Sequence, residues 1–376
     1  MYPRFIKVPQ EKSFFLFGPR GTGKTSFIKT NFPNSNYIDL LDHETFIRLL
    51  AQPTRLNEYI TNPGEWVVID EVQKVPFLLD EVHRLIENRR LKFILTGSST
   101  RKLKRKGVNL LAGRALTKFL YPLTSEELGD DFSLSHSLKY GLLPSVYIEK
   151  DPRAYLESYV KTYLKEEIEQ EGLTRNLGAF SRFLEQISFS QAQILNVSEI
   201  ARESSVERKV VEDYIIILED LLLARRLPIF SRRAKRRMTK HPKFFIFDAG
   251  VYRTIRPKGP LDSTDEIDGT ALETLVFQEL YALNDYYSLG YSFYGWRTAH
   301  KVEIDLVLYG ERGIKGFEIK RTDKVRRAEL KGLRLFKKDY PIADVFFLYL
   351  GDRELIIDDI RILPLKDYFK RLKELL

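Results

Sequence analysis

Residues 14–25 have the sequence FFLFGPRGTGKT, in which an apolar run leads into a glycine-rich loop that ends in Lys-Thr. The three glycines permit tight, partly left-handed turns that aim backbone N–H groups at phosphate oxygens. Lys24 can then reach the terminal phosphates, and the Thr25 hydroxyl can bind Mg²⁺. The stretch is a Walker A loop, and it predicts a site for ATP and Mg²⁺. The residues expected to contact the nucleotide are Gly18, Pro19, Arg20, Gly21, Thr22, Gly23, Lys24, Thr25 and Ser26.

The length and composition of the chain predict an ordinary folded protein of several modules. Its 376 residues exceed what one hydrophobic core usually serves, and 43% of them are hydrophobic. With 61 Lys and Arg against 52 Asp and Glu, the formal net charge is +9, which weakly indicates a polyanionic partner. The absence of cysteine excludes disulfides, thiolate zinc sites and thiol nucleophiles. With no signal-peptide core and no apolar run that could span a bilayer, we expect a soluble, cytoplasmic protein.

Short apolar runs alternate with helical patterns in the first third, which predicts a buried parallel sheet with helices on its faces. The expected strands are 14–17, 37–40, 66–70, 91–96 and 115–120. An amphipathic segment at 78–86 is one of the expected helices.

The third of these runs, 66–71, has the form of a Walker B strand with two carboxylates at its end. Asp70 is expected to hold Mg²⁺, mostly through water, and to belong to the nucleotide site. Glu71 is expected to polarise the water that attacks the γ-phosphate. An acidic strand end without function is the alternative, and the complete Walker A loop upstream disfavours it.

Three features after the fourth strand carry open interpretations. Ser98 is expected to make a polar contact to the γ-phosphate or the attacking water, although a Ser/Thr cluster also caps helices. The basic run 101–106 is typical of a solvated face. Arg114 is either an arginine that neutralises charge during phosphoryl transfer, in its own or a neighbouring subunit, or a structural residue in a turn.

Several motifs together resemble a known family, the prokaryotic AAA-type ATP-binding proteins with a C-terminal domain of unknown function. The resemblance covers the whole chain and rests on the segments 18–25, 69–76, 95–99, 111–114 and 121–127. It implies an ATPase sheet in which the strand before Ser98 lies between the two Walker strands. It also implies a helical lid, which we place at 125–190 beside the nucleotide.

The helical pattern of residues 153–164 carries a stripe of tyrosines at three- and four-residue spacing. Such a stripe is usually part of a core, and a base-stacking surface is the alternative.

Residues 197–218 predict two helices joined by a short turn, with Ser198 as the first N-cap. Strands at 223–229 and 243–247 follow, separated by a basic segment, and the whole predicts a winged helix. The cations expected to neutralise DNA phosphates are Arg232, Arg233, Lys235, Arg236 and Arg237. Acidic residues on the second helix weaken base recognition, and winged helices also dock proteins.

The last third presents an amphipathic helix at 269–280 and two strands with charged residues on alternate positions. Alternation places Glu318 and Lys320 on one face, and Glu303 with Asp305 on another. The set resembles the Asp…Glu-x-Lys pattern of the restriction-endonuclease-like fold. That resemblance implies catalytic roles for Glu273, Asp305, Glu318 and Lys320, with Asp305 and Glu318 as metal ligands and Lys320 as the catalytic lysine. Charged residues also alternate on many exposed strands, so the pattern is less specific for activity than for fold.

The predicted fold class is therefore an α/β chain of four parts. These are an AAA-type P-loop ATPase core at 1–124, the lid at 125–190, a winged helix at 191–255 and a restriction-endonuclease-like domain at 256–376. The leading hypothesis is an Mg²⁺-dependent ATPase that acts on DNA and controls a nuclease-like domain. We also expect the chain to form homo-oligomers. A nucleotide-switched scaffold whose C-terminal domain binds without cleaving is the alternative, and a helicase-like motor is a third.

Overall fold

The computed structural model describes residues 2–99, 111, 113–163, 168, 176–260 and 262–376. The chain forms two compact units. The first contains residues 3–121 and 220–223, and the second contains Tyr2, 122–219 and 224–376. The boundary after residue 121 lies close to the predicted end of the ATPase core. The further division of the second unit into three parts stays a prediction.

A five-stranded parallel sheet forms the centre of the first unit, in the order β2-β3-β4-β1-β5. Its strands are β1 (Ser13–Phe17), β2 (Asn36–Asp39), β3 (Val67–Asp70), β4 (Phe93–Gly97) and β5 (Ala115–Phe119). The apolar runs form strands because β1, β3 and β4 are buried along their whole length. β4 lies between β1 and β3, as the family resemblance implies.

Three α-helices are described in the first unit: α1 (Lys24–Asn31), α2 (His43–Ala51) and α3 (Leu78–Arg89). Short 3₁₀ helices cover Pro53–Tyr59 and Val72–Lys74. α3 confirms the amphipathic segment predicted at 78–86, since its buried face includes Leu78, Val82 and Leu85. The basic run 101–106 lies outside the described residues.

The first part of the second unit contains six α-helices among the described residues and a small three-stranded antiparallel sheet. The helices are α4 (Ser125–Leu128), α5 (Leu134–Tyr140), α6 (Pro152–Ser158), α7 (Leu177–Ser188), α8 (Val197–Ser204) and α9 (Arg208–Asp220). A π-helical turn at Tyr159–Tyr163 follows α6, and 3₁₀ helices cover Gly129–Asp131 and Pro144–Tyr147. Strands β6 (Gln193–Ile194), β7 (Ala224–Leu227) and β8 (Lys243–Ile246) pair in the order β6-β8-β7. The two helices and two strands predicted between 197 and 247 are therefore present.

Two details of this region bear on the predictions. The predicted N-cap Ser198 is wrong: Asn196 caps α8, and its side chain accepts from Glu199 N at 3.3 Å. Asn196 precedes the first helical residue, whereas Ser198 lies within the helix, so only Asn196 can reach a free N–H group of the first turn. In the tyrosine stripe, Tyr159 is 1% exposed, which favours packing in a core over base stacking at this position. Leu164, at the end of that stripe, lies outside the described residues.

The last part of the second unit is a six-stranded mixed sheet in the order β13-β14-β12-β11-β10-β9. Its strands are β9 (Ser292–Arg297), β10 (Glu303–Gly310), β11 (Gly313–Lys320), β12 (Asp344–Tyr349), β13 (Leu355–Ile357) and β14 (Ile360–Pro364). The helices are α10 (Ala249–Ile255), α11 (Thr264–Tyr286), α12 (Lys331–Asp339) and α13 (Leu365–Tyr368). β10 and β11 pair as an antiparallel hairpin. The chain ends in α13 followed by a 3₁₀ helix, Phe369–Leu375.

None of the helices described in these ranges has the length and apolarity needed to cross a membrane.

Candidate nucleotide site and carboxylate–lysine cluster

The glycine-rich loop leads directly into α1, whose N-cap is Gly23. Gly21 and Gly23 have φ angles of 84° and 89°, in the left-handed region that glycine adopts without strain. Among the described residues, no side chain caps the first turn of α1, and that turn contains no acidic residue. The backbone N–H groups of the turn are therefore available to a phosphate.

The loop is held against β5 and against the N-terminal segment. A Cβ atom on Gly18 would lie 2.3 Å from the carbonyl oxygen of Leu120, so only glycine fits. The guanidinium of Arg4 donates to Thr22 O at 2.7 Å and to Tyr121 O at 2.6 Å. Sequence reasoning missed Arg4, since nothing in its local sequence connects it to the loop.

The ammonium of Lys24 lies beneath the loop and is 7% exposed as a residue. Its Nζ donates to Gly18 O at 2.7 Å and to Pro19 O at 3.2 Å. The carbonyl contacts hold the positive charge at the loop, where phosphate oxygens are expected.

Asp70 stands at the carboxyl end of β3 and accepts hydrogen bonds from three hydroxyl groups. Thr25 Oγ1 donates to its Oδ2 at 3.1 Å, and Tyr37 and Thr96 donate as well. Burial and the hydrogen bond to Asp70 raise the pKa of Tyr37, so its phenol stays protonated and remains a donor. Sequence reasoning missed Tyr37 and Thr96, although both lie at the ends of predicted strands.

The carboxylate of Glu71 is linked to Ser98 through Gln73. Glu71 has a φ angle of 60°, and its backbone N donates to Thr96 Oγ1 at 3.1 Å. The amide Nε2 of Gln73 donates to the Glu71 carboxylate and to Ser98 Oγ, the latter at 3.2 Å. Two residues predicted to act on the attacking water are thus joined by one side chain that was not predicted.

Arg114 lies in a turn, where its backbone N donates to Leu111 O at 2.7 Å. Its guanidinium forms an ion pair with Glu87 of α3, and the side chain is 37% exposed. This placement agrees with the structural alternative for Arg114, and its role in phosphoryl transfer stays a prediction.

The oxygen donors of the loop region fit Mg²⁺. A threonine hydroxyl and a strand-end carboxylate lie 3.1 Å apart at Thr25 and Asp70, and both are hard oxygen ligands of the kind that Mg²⁺ prefers.

The second unit brings together the four residues predicted from the Glu-x-Lys pattern. Lys320 Nζ lies 2.6 Å from Glu318 Oε1 and 3.5 Å from Asp305 Oδ2. The backbone N of Ile319 donates to Asp305 Oδ2 at 2.8 Å. Glu273, on α11, is connected to Asp305 through Lys243, which forms an ion pair with both carboxylates. Sequence reasoning missed Lys243. We call the five side chains the carboxylate–lysine cluster: Lys243, Glu273, Asp305, Glu318 and Lys320.

Lys243 is the first residue of β8, and its Nζ forms an ion pair with the Glu273 carboxylate. It also donates to Asp305 O at 3.1 Å and to Asp305 Oδ1 at 3.4 Å. The signal in the sequence was a lysine at the start of an otherwise apolar strand. Glu303, expected on the face of Asp305, is exposed and forms an ion pair with Arg297 at 3.0 Å.

Burial and the two ammonium groups set the protonation of the cluster. Burial raises the pKa of Glu273 to about 7 and that of Glu318 to about 8. Burial opposes the ionised form of Asp305 too, but Lys320, Lys243 and the Ile319 N–H outweigh it and lower its pKa. The carboxylates in turn outweigh burial at both lysines and raise the pKa of each. Asp305 is therefore the most acidic of the three carboxyl groups.

The donor set of the cluster does not fit a divalent cation. Each carboxylate already has an ammonium partner: Lys243 contacts Glu273 and Asp305, and Lys320 contacts Asp305 and Glu318. Across the residues that the structure describes, no group of three or more His, Cys, Asp or Glu side chains could hold a metal ion. The metal-ligand roles of Asp305 and Glu318 stay predictions.

The basic segment 231–240 connects β7 to β8. Arg232, Arg233, Lys235 and Arg237 are exposed on it, and Arg232 lies over the ring of Tyr309. Arg236 is tied to Asp339 of α12, with Nε at 2.9 Å from Oδ2.

Comparison with known proteins supports an ATPase in the first unit. Residues 10–129 match the family model of an AAA domain. Residues 132–262 and 268–368 match two separate domain families of unknown function. The AAA match agrees with the parallel sheet and with the Lys24 loop at its edge, so residues 10–129 are similar to the AAA domain of ATPases.

Sequence similarity to other proteins extends beyond residues 10–129. Uncharacterized proteins of Mycobacterium bovis and Mycobacterium tuberculosis are each 25% identical over 359 residues, which cover 92% of this chain and 78% of theirs. An uncharacterized protein of Haemophilus influenzae is 22% identical over 279 residues, covering 69% of this chain and 68% of its own. A crystal structure of a Vibrio cholerae protein aligns with 96% of each chain at 11% identity and a TM-score of 0.25.

Proposed function

We propose that the chain is an Mg²⁺-dependent ATPase in which the first unit binds and hydrolyses ATP. The observation that carries the proposal is the contact between Thr25 and Asp70 at 3.1 Å, beside the loop that holds Lys24. These groups lie at the carboxyl edge of a parallel sheet, where such sheets bind ligands.

Each residue of the site has a role in this proposal. The backbone N–H groups of the loop and the Lys24 ammonium bind the phosphates. Thr25 and Asp70 hold Mg²⁺, which when bound neutralises phosphate charge. Glu71 orients and polarises the attacking water, and Gln73 positions Glu71 against Ser98.

ATP hydrolysis by the purified full chain tests this proposal. We expect Lys24→Ala to lower kcat by more than about 100-fold, since a cation at the phosphates stabilises transition-state charge. Lys12→Ala is the matched control, because this exposed lysine precedes β1 and lies outside the loop. Equal rates for wild type and Lys24→Ala would contradict the proposal.

We further propose that the ATPase acts on DNA through a winged helix formed by α8, α9, β7 and β8. The support is the exposed basic segment between the two strands, with Lys235 and Arg237 among its cations. Such cations bind phosphate oxygens without reading sequence.

DNA affinity at several salt concentrations tests this second proposal. Each lost phosphate contact is expected to reduce the slope of log K against log salt by about 0.9. Lys235→Ala/Arg237→Ala should weaken binding and reduce that slope, whereas Lys366→Ala/Lys370→Ala, which removes two exposed lysines near the C-terminus, should not. DNA should also stimulate hydrolysis, and equal effects of the two double variants would contradict the assignment of the wing.

For the C-terminal part we propose a restriction-endonuclease-like fold that binds without cleaving. The observation that favours this alternative is the second lysine of the cluster, Lys243, which contacts two of the three carboxylates. Incubation of linear, nicked and single-stranded DNA with Mg²⁺ or Mn²⁺, with and without ATP, should give no cleavage. Cleavage that Lys320→Ala abolishes would instead establish a nuclease.

A further inference from the structure

The ammonium of Lys243 occupies a position among oxygen atoms that resembles the place of a bound cation. It contacts the Glu273 carboxylate, the carbonyl oxygen of Asp305 at 3.1 Å and the Asp305 carboxylate at 3.4 Å. Two carboxylates and a backbone carbonyl are the ligand types that hard divalent cations take in proteins.

The surroundings of Lys243 fit a built site more closely than a chance ion pair. Its side chain is 8% exposed, and those of Glu273 and Asp305 are 11% and 8% exposed. The stem of the lysine packs against Gly295 of β9, where an added Cβ would lie 3.4 Å from Lys243 Cβ.

The charges of the cluster make the lysine and a metal ion competitors. Three carboxylates face two ammonium groups, Lys243 and Lys320, all from described residues of the second unit. A buried charge without a partner is costly, and each of these charges already has one. A divalent cation between Glu273 and Asp305 would meet the Lys243 ammonium at short distance and be repelled by it.

We infer that Lys243 takes the place of a divalent cation between Glu273 and Asp305, so that the cluster binds no metal while this lysine is present. The inference goes beyond the proposed ATPase activity, which uses residues of the first unit only. Failure of the inference therefore leaves that activity untouched.

Mn²⁺ titration followed by electron paramagnetic resonance tests the inference, without ATP and in an Asp70→Asn background that removes the nucleotide-site carboxylate. When Lys243 is intact, the chain should show no Mn²⁺ site that depends on Asp305. Lys243→Met should gain one site that binds Mn²⁺ at least tenfold more tightly than the parent does. Asp305→Asn in the same variant should remove that site again. Mn²⁺ should also raise the Tm of Lys243→Met without raising that of the parent.

Lys243→Met leaves a buried carboxylate without its ammonium partner and could prevent folding. A second variant keeps the inference testable in that case. Lys243→Met/Glu273→Gln restores the charge balance and keeps Asp305 and Glu318 as donors. It should still bind Mn²⁺ at least tenfold more tightly than the parent. An Asp305-dependent Mn²⁺ site in the parent, or no gain of affinity in a folded variant that lacks Lys243, would overturn the inference.

Discussion

The side-chain amide of Gln73 donates a hydrogen bond to Ser98 Oγ at 3.2 Å while also donating to the carboxylate of Glu71. Gln73 lies in the 3₁₀ helix after β3, and Ser98 follows the end of β4. One amide thus connects the ends of two neighbouring strands. It fixes the direction of the carboxylate that we expect to act on water.

Gln73→Leu should lower the kcat of ATP hydrolysis roughly tenfold or more, because a general base must be held within hydrogen-bond reach of its water. The KM for ATP should change little, since the hydrogen bonds of the Gln73 amide go to Glu71 and Ser98. Steady-state phosphate release measures both constants.

A second variant displaces Gln73 without replacing it. A Cβ on Gly97 would lie 2.5 Å from Gln73 Oε1, so Gly97→Ala should produce the same fall in kcat. Gly64→Ala is the control, because a Cβ there meets only the Asn62 side chain at 3.5 Å. A normal kcat in both Gln73→Leu and Gly97→Ala would refute the positioning role.

The hydroxyl of Thr25 should determine the Mg²⁺ requirement of the reaction. Thr25→Ala removes an oxygen ligand, and the Mg²⁺ concentration for half-maximal hydrolysis should rise about tenfold or more. Thr25→Ser keeps the hydroxyl and should retain the wild-type requirement. Hydrolysis is measured against Mg²⁺ at fixed ATP, and identical curves for the two variants would count against Thr25 as a ligand.

Substitutions of Arg114 and of its ion-pair partner Glu87 distinguish a structural role of Arg114 from a role in phosphoryl transfer. Their ion pair is partly exposed, with side-chain exposures of 37% and 50%, so its loss should change the free energy of unfolding little. If Arg114 acts on the nucleotide of a neighbouring subunit, Arg114→Ala should lose hydrolysis at least about 100-fold while Glu87→Ala does not.

Mixing experiments decide whether such an action occurs between subunits. Arg114→Ala supplies an intact Lys24 loop, and Lys24→Ala supplies an intact Arg114. If Arg114 acts between subunits, the mixture should recover hydrolysis that neither variant shows alone. Normal hydrolysis by Arg114→Ala would leave the arginine with the structural role in the turn.

The first unit could be predicted in detail because its chemistry lies in contiguous segments. The loop at 18–25 and the strand before Asp70 each combine a local pattern with a sheet edge, and β4 falls between β1 and β3 as expected. Tyr37, Gln73 and Arg4 could not be predicted, since their roles depend on contacts between segments distant in sequence. The same reason hid Lys243, which lies 62 residues before Asp305.

Local patterns in the second unit predicted the positions of the strands but not the irregularity within β10. Alternation correctly placed Glu318 beside Lys320. It did not predict the shift in the register of β10 with β9, which falls between Ile304 and Val307. A shift of this kind gives no clear signal in the side-chain pattern, and it changes which face the later residues of the strand occupy.

Glu279 of α11 should make stability depend on pH. Its carboxyl group is buried and accepts from Ser125 Oγ at 2.7 Å and Ser125 N at 3.0 Å, and burial raises its pKa from 4.5 to about 8. Between these values the folded chain holds a proton that the unfolded chain has lost. The free energy of unfolding that Glu279 contributes therefore falls as pH rises from about 4.5 to about 8 and is constant above that range.

Glu279→Gln removes this titration while keeping an oxygen that accepts from Ser125. Chemical denaturation at pH 5 and pH 8 should show a smaller loss of stability across that interval for Glu279→Gln than for wild type. Glu266→Gln, at an exposed position in the first turn of the same helix, should retain the wild-type pH dependence. If Glu279→Gln keeps that dependence too, the carboxyl group ionises in the folded chain as readily as in the unfolded chain. The Ser125 hydrogen bonds would then outweigh its burial.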